Sequence, residues 1–376
     1  MKRYAELFRF PNVWVLVLSA FPARIAYGMV GLGIFFKVEQ SLNSIALAGL
    51  AVGINAAAGA ATAGIRGTII DRYSMKWPLR IQVPGYALML IALNSASDKS
   101  TLLLFALLLG LTAPPINLSV RPLWRDAVSD EWLRTAYAVD TAVMSAAGVI
   151  GPVIVTALAL SSIPNSALYV CAALMLAGGG SLALTKIARN WIPEEKPAVK
   201  VSMWRHRPLQ LLVVEGCFIG FGWGVFDVAV PAFATQEGVA KRVAWIFAVF
   251  GIFNVIGGLL GGLVSKKLPP LSALLRSYVL WVIVCAPIVF TYPNWTMALV
   301  GAFIGFVGGA VQVFYFEVLE AVRPQGSQTA SLGWIWSVEG SFMAIGAAVG
   351  GWVSEHYSPR IGLGLTPVML LIALII

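Results

Sequence analysis

The sequence predicts an all-α integral membrane protein of about twelve transmembrane helices. Three observations carry that reading. Hydrophobic residues fill 59% of the 376 positions. Charged residues make up only 11%, against about 25% in a soluble globular domain. The apolar residues also fall in successive runs, each near the ~20 residues that span a hydrocarbon core. A water-soluble fold of this length needs far more polar surface, so lipid is the solvent for most of it.

The first run extends from about Asn12 to Phe36, behind Lys2, Arg3 and Arg9. No A-x-A cleavage pattern follows that basic start, and apolar character resumes, so a retained first helix is expected rather than a signal peptide. The second run covers Asn43 to Ile70, the third Leu79 to Ala96 and the fourth Thr101 to Trp124. The fifth and sixth cover Ala136 to Leu160 and Ser166 to Ala188. A polar stretch from Arg189 to Arg207 follows, containing Pro193-Glu194-Glu195-Lys196-Pro197. Beyond it lie Pro208 to Ala234, Val243 to Ser265, Leu271 to Phe290, Trp295 to Val322 and Thr329 to Val353. The last run, Ile361 to Ile376, is short for a full crossing. The expected organisation is a six-helix bundle over residues 1–188, a cytoplasmic linker over 189–207 and a second six-helix bundle over 208–376.

Basic residues set the orientation. With the N-terminus in the cytoplasm, twenty of the 26 lysines and arginines fall on the inner side and five on the outer side, leaving Arg24 within the first helix. The inner group includes Arg66, Arg134, Lys196, Lys200 and Lys266. The net charge of +9 would suggest a nucleic-acid partner in a soluble protein. Here the charge marks topology, and no nucleic acid is expected. Cys171, Cys217 and Cys285 are scattered, and His206 and His356 stand alone, so neither a disulfide framework nor a metal site is expected. No cofactor is implied.

The two halves echo each other at a constant offset of 199. Val139, Asp140, Met144 and Gly151 match Val338, Glu339, Met343 and Gly350; Asn55 and Gly59 match Asn254 and Gly258. Transporters are often built from such repeats, with the substrate site between them near the midplane.

The loop after the second run reads Gly67-Thr68-Ile69-Ile70-Asp71-Arg72-Tyr73-Ser74-Met75-Lys76. It resembles the signature loop of the major facilitator superfamily, Gly-x-x-x-Asp-Arg/Lys-x-Gly-x-Arg/Lys, with Ser74 in place of the second glycine. Gly67 permits close helix approach. Asp71 can meet the positive N-terminus of a neighbouring helix, and Arg72 can pair with an acid, for which Asp126 is the candidate. These residues and Lys76 form the expected conformational latch, closing the cytoplasmic side in the outward-open state. Gly261 to Lys267 is a degraded second copy without the acid. Gly148, Gly151 and Pro152 resemble the helix-5 motif of superfamily antiporters, or else mark a kink that permits close packing. Ala23-Arg24-Ile25-Ala26-Tyr27-Gly28-Met29 resembles a poorly characterised bacterial subgroup. The resemblance implies two pseudo-symmetric six-helix bundles, transport by alternating access and a multi-pass place in the bacterial inner membrane.

Ionisable groups within membrane helices are costly and usually face a cavity or a partner. Arg24 reads as an anion contact, as the counter-ion of an acid or as half of a structural ion pair. Glu339 and Asp227 are the proton-coupling candidates. Glu215, twelve residues before Asp227 on the same run, lies about 18 Å from it along the axis and reads as structural. Asp140, Glu317 and Glu320 read as salt-bridge partners of Arg121, Arg125 or Arg323. Tyr27, Asn55, Trp223, Asn254, Gln312 and Trp336, with Arg24, are the substrate-binding candidates, since aromatic walls with a few polar groups suit organic solutes.

Without a Gly-x-x-x-x-Gly-Lys-Ser/Thr loop, nothing points to nucleotide hydrolysis, and an enzyme is not expected. The leading expectation is proton-coupled efflux of a drug-like or metabolite solute by a monomeric antiporter, its partners being the bilayer, the solute and protons. Proton-coupled uptake or uniport, of an anion among other solutes, is the alternative. A non-transporting scaffold or sensor is the alternative of a different class.

Overall fold

Long apolar runs in lipid must satisfy their own backbone, and helices do so residue by residue. The computed structural model describes residues 2–194, 205–265 and 267–376. Glu195 to Pro197 and Lys200 of the connecting stretch, and Lys266 of the second loop copy, lie outside the described residues. Among the described residues there are helices and no strands.

A short α1 (Lys2–Leu7) precedes α2 (Pro11–Leu42), α3 (Ile45–Tyr73) and α4 (Lys76–Ser95). The fourth apolar run folds as two helices, α5 (Lys99–Thr112) and α6 (Ile116–Ala127). Then come α7 (Leu133–Ala159), α8 (Ser166–Leu184) and the short α9 (Lys186–Asn190). The later residues form α10 (Arg207–Gln236), α11 (Val243–Gly261), α12 (Pro270–Cys285) with a 3-10 extension to Phe290, α13 (Trp295–Val322), α14 (Gln328–His356) and α15 (Pro359–Ile375). Ten of these segments are long and apolar enough to cross a membrane. With α4 and α15 they account for the twelve expected runs. Polar residues start several helices: Asp98 accepts the Ser100 and Thr101 amides at the head of α5, and Asn294 accepts the Thr296 amide at the head of α13. The Thr101 hydroxyl and these amides hold the Asp98 carboxyl below its ordinary range.

The chain forms two compact units. The first comprises Met1–Asp130, Ala146–Ala198 and Gln325–Ser337, and so includes the opening turns of α14. Within it α2 packs on α3 and α8, α3 on α5, and α4 on α8. The second comprises Glu131–Ser145, Val199–Pro324 and Val338–Ile376, and so includes the opening turns of α7. Within it α11 packs on α13, α10 on α15, and α12 on α13.

The sequence repeat reappears as geometry. In the first unit Asn55 Nδ2 donates to the Ala106 carbonyl at 3.0 Å, joining α3 to α5. In the second, Asn254 Nδ2 donates to the Gly305 carbonyl at 3.3 Å, joining α11 to α13. Donors and acceptors alike stand 199 residues apart. Gly110 and Gly309, also 199 apart, meet the backbone carbonyls of Asn55 and Asn254 at distances that leave no room for a Cβ.

Candidate functional site

The fourth crossing, Lys99–Ala127, is one apolar segment but not one helix. Ala113-Pro114-Pro115 interrupts it. Two consecutive prolines lack amide donors, and the residue before a proline is pushed out of the helical region. Ala113 accordingly has φ −52° and ψ 124°, and Pro115 has φ −80° and ψ 50°. A break at membrane depth strands backbone carbonyls, which need partners because lipid supplies none.

Two side chains supply them. The Tyr27 hydroxyl on α2 donates to the Pro114 carbonyl. Arg66 on α3 donates from Nη1 to the Ala113 carbonyl at 2.6 Å, from Nη2 to the Gly59 carbonyl at 2.5 Å and from Nε to the Thr62 carbonyl at 3.3 Å. Around this break lies a cavity of about 290 Å³ within the first unit. Tyr27, Asn55, Arg66, Tyr86, Asn117 and Trp336 line it, and its walls contain no aspartate or glutamate. Arg24 is not in the wall. It stands behind Asn117, with Nε 3.0 Å from Asn117 Oδ1.

The second unit fills its corresponding region with rings. Trp223 lies 5.3 Å from Phe226, 5.6 Å from Phe250 and 5.5 Å from Trp281, centroid to centroid. Trp281 donates to the Ile304 carbonyl at 3.0 Å. Asn254 also accepts from the Ser145 hydroxyl at 3.1 Å. Gln312 is half-buried with no hydrogen-bond partner among the described residues. Glu215 is buried and takes a hydrogen bond from the Tyr278 hydroxyl. Glu339 is half-buried on α14, where its backbone presses on Gly220. Asp227 is exposed on α10, and among the described residues neither it nor Glu339 has an ion-pair partner.

The signature loop is built around one carboxylate. Asp71 is buried and accepts from the Thr329 amide at 3.0 Å, the Thr329 hydroxyl at 2.7 Å and the Ala330 amide at 2.7 Å. These groups belong to the first turn of α14, so the acid meets a positive helix end. The Thr329 hydroxyl also lies 2.6 Å from the Gly67 carbonyl. A Cβ on Gly67 would collide with the Thr329 backbone.

The Major Facilitator Superfamily model matches residues 16–338 and, again, 212–376. The chain belongs to the major facilitator superfamily. A curated relative, the uncharacterized MFS-type transporter y4rN of Sinorhizobium fredii (strain NBRC 101917 / NGR234), is 24% identical over 277 residues, 69% of this chain and 68% of that protein. Among solved structures, a bacterial homologue of the iron transporter ferroportin in an outward-facing state is 13% identical with a TM-score of 0.80, covering 96% of this chain and 97% of that one. The human organic anion transporter MFSD10 (TETRAN) is 15% identical with a TM-score of 0.71, over 96% of this chain and 98% of that one. At these identities the structures show the fold alone. The chain is thus an all-α, multi-pass membrane protein of a transporter superfamily.

Several sequence expectations need correction. Arg72 does not pair with Asp126: both are exposed, no ion pair joins them, and the Arg72 guanidinium lies 5.2 Å from the ring of its neighbour Tyr73. Glu194 meets Arg125 instead, at 3.6 Å. Lys76 stacks over Trp77 at 5.6 Å. Ser74, where the superfamily loop has glycine, adopts φ 67° and donates to the Trp191 carbonyl at 3.0 Å. Glu320 pairs with Arg323 at 2.7 Å, as expected, but Glu317 pairs with Arg134 at 2.7 Å. In helix α7, Gly148 has open space beside it, whereas Gly151 lies against Gly28 and Ile25 of α2, and the helix continues through Pro152. Tyr27, Asn55 and Trp336 share the cavity; Arg24 stands outside it, and Trp223, Asn254 and Gln312 belong to the other unit. The residue that counting basic loops hid is Arg66. It is a helix residue whose head reaches the cavity, and the Pro114-Pro115 pair was the signal that stranded carbonyls would need such a donor.

Proposed function

We propose that the chain exports a small organic solute, drug-like or metabolic, against proton entry, as a monomer in a bacterial inner membrane with its N-terminus in the cytoplasm. The observation that carries this reading is the cavity at the broken helix. Interrupted membrane helices with exposed backbone polar groups are where transporters of this kind hold their cargo. The cavity offers amide, phenol and guanidinium groups beside aromatic walls, a mixture suited to an organic solute.

Two features supply the cycle. Asp71 on α3, from the first half of the sequence, caps α14 from the second half. Making and breaking that cap would alternate access between the two sides. Glu339 sits on the same α14 without an ion-pair partner among the described residues. A carboxyl so placed can take a proton from one side and release it to the other.

Inside-out vesicles with a pH-sensitive dye test the proposal. After energisation, one class in a panel of cations, neutral drugs, sugars and carboxylates is expected to discharge the proton gradient. Glu339→Gln should abolish that discharge while the protein still folds. Equal discharge in the variant would end the role of Glu339. Uptake is the second reading, favoured by Arg24 beside the cavity residue Asn117 if the solute is an anion. Solute accumulation in right-side-out cells, with no discharge in inverted vesicles, would establish it.

A further inference from the structure

We infer that the cavity of the first unit is an oxyanion site in which Arg66 holds the acidic head of a small organic anion. This rests on the cavity being the transport site, as proposed above, and adds the chemistry of what it takes.

The charge balance comes first. Arg66 is half-buried in a wall without aspartate or glutamate. Its partners are three carbonyl oxygens, and no carboxylate lies within ion-pair range among the described residues. A charge drawn into the membrane interior normally has a counter-charge. Here the protein supplies dipoles and leaves the negative charge to the ligand.

The broken helix does not itself require an ion. Tyr27 satisfies the Pro114 carbonyl with a neutral hydroxyl. A neutral donor would serve the Ala113 carbonyl equally well, yet a guanidinium stands there.

Donors also remain unspent. A guanidinium has five N–H groups. The three bonds of Arg66 leave two for a ligand. Arg24 can only donate, so Asn117 must turn its oxygen toward Arg24 and its NH₂ away. Asn117 lines the same cavity as Arg66 and so adds amide donors to it. Paired N–H donors on a planar fork match carboxylate and phosphate oxygens. The volume of about 290 Å³ sits at the small end for organic ligands, and the half-buried Tyr27 and Trp336 add aromatic lining suited to an apolar body.

The test uses the full chain in lipid nanodiscs and four probes that share one ring: benzoate, phenyl phosphate, benzamide and benzylammonium. Binding is read as a concentration-dependent rise in Tm. At least one oxyanion is expected to stabilise the protein, with benzamide and benzylammonium inert. The larger shift of the two anions assigns the head as carboxylate or phosphate. Arg66→Gln should weaken the anion by roughly 10- to 100-fold, and Arg66→Lys should fall between, having charge without the fork. The inference fails if the neutral or cationic probe binds equally, if no anion binds, or if Arg66→Gln binds the anion as before. Should that variant not fold, wild-type protein carries the test: the bound anion must slow modification of Arg66 by phenylglyoxal, followed by mass spectrometry, and absence of protection overturns the site. Anion binding without flux of any solute would end the transport proposal and leave this site standing. Flux of a solute without anion binding would do the reverse.

Discussion

Arg24, Tyr27 and Asn55 of the first unit and Trp223, Phe226 and Asn254 of the second occupy positions 199 apart on the repeat. The asparagines do the same work in both, pinning one helix of a pair to the backbone of the other. The other two positions have diverged. In the first unit an arginine and a tyrosine serve an open polar cavity. In the second a tryptophan and a phenylalanine close a ring cluster. The repeat therefore preserves the groups that hold helices together and varies those at or beside the space between them. A similar divergence shows at the helix ends. The first unit uses an acid, Asp71, on the amides that open α14. The second uses a cation, Arg134, on the carbonyls of Val264, Ser265 and Leu268 that follow α11.

The largest effect is expected at Arg134. Its guanidinium is 1% exposed and pairs with Glu317, itself 7% exposed. Arg134→Ala should cost about 3–5 kcal/mol by leaving a buried carboxylate alone, measured by unfolding in nanodiscs. A cost near zero would mean that the helix-end charge of the second unit is ornamental. Trp223→Ala follows, at about 3 kcal/mol from lost packing, whereas Tyr27→Phe in the first unit should cost about 1 kcal/mol. Equal costs at these two positions, one from each half of the repeat, would erase the distinction between a filled and an open interior. Asp71→Asn should slow transport roughly tenfold, because a charge-assisted cap becomes a neutral one, with solute binding little changed. An equal loss of binding would make the loop a folding element only. The smallest effect is a gain. Ser74 holds φ 67° and ψ 164°, a region suited to glycine. Ser74→Gly should stabilise by up to about 1 kcal/mol, reduced by loss of its bond to the Trp191 carbonyl. A destabilised variant would show that this bond outweighs the strain.

Hydropathy made the twelve runs legible because span length in lipid is a one-dimensional property. The repeat was legible at Asn55 and Asn254 because a polar amide at depth needs a fixed acceptor, and that acceptor moves with it. The break in the fourth crossing was masked by its own apolarity: Leu109 to Ile116 reads as membrane with or without a helix. Arg66 and Arg134 were read as topological charges, since counting basic residues does not separate a head in water from one that reaches a stranded carbonyl. Arg72 and Asp126 were joined on charge alone. Partner choice depends on where helix ends meet, and Asp71 found its partner in α14, far along the chain.

That distance has a consequence for how the protein is made. Asp71 and Thr329 are separated by 258 residues. At bacterial or eukaryotic synthesis rates the acid waits on the order of tens of seconds for the amides that will hold it. The first unit cannot close while it is being translated, because residues 325–337 belong to it. Until then Asp71 must keep its charge hydrated at the membrane surface. A chain that ends before residue 329 would leave the Asp71 carboxylate without the Thr329 and Ala330 groups that hold it.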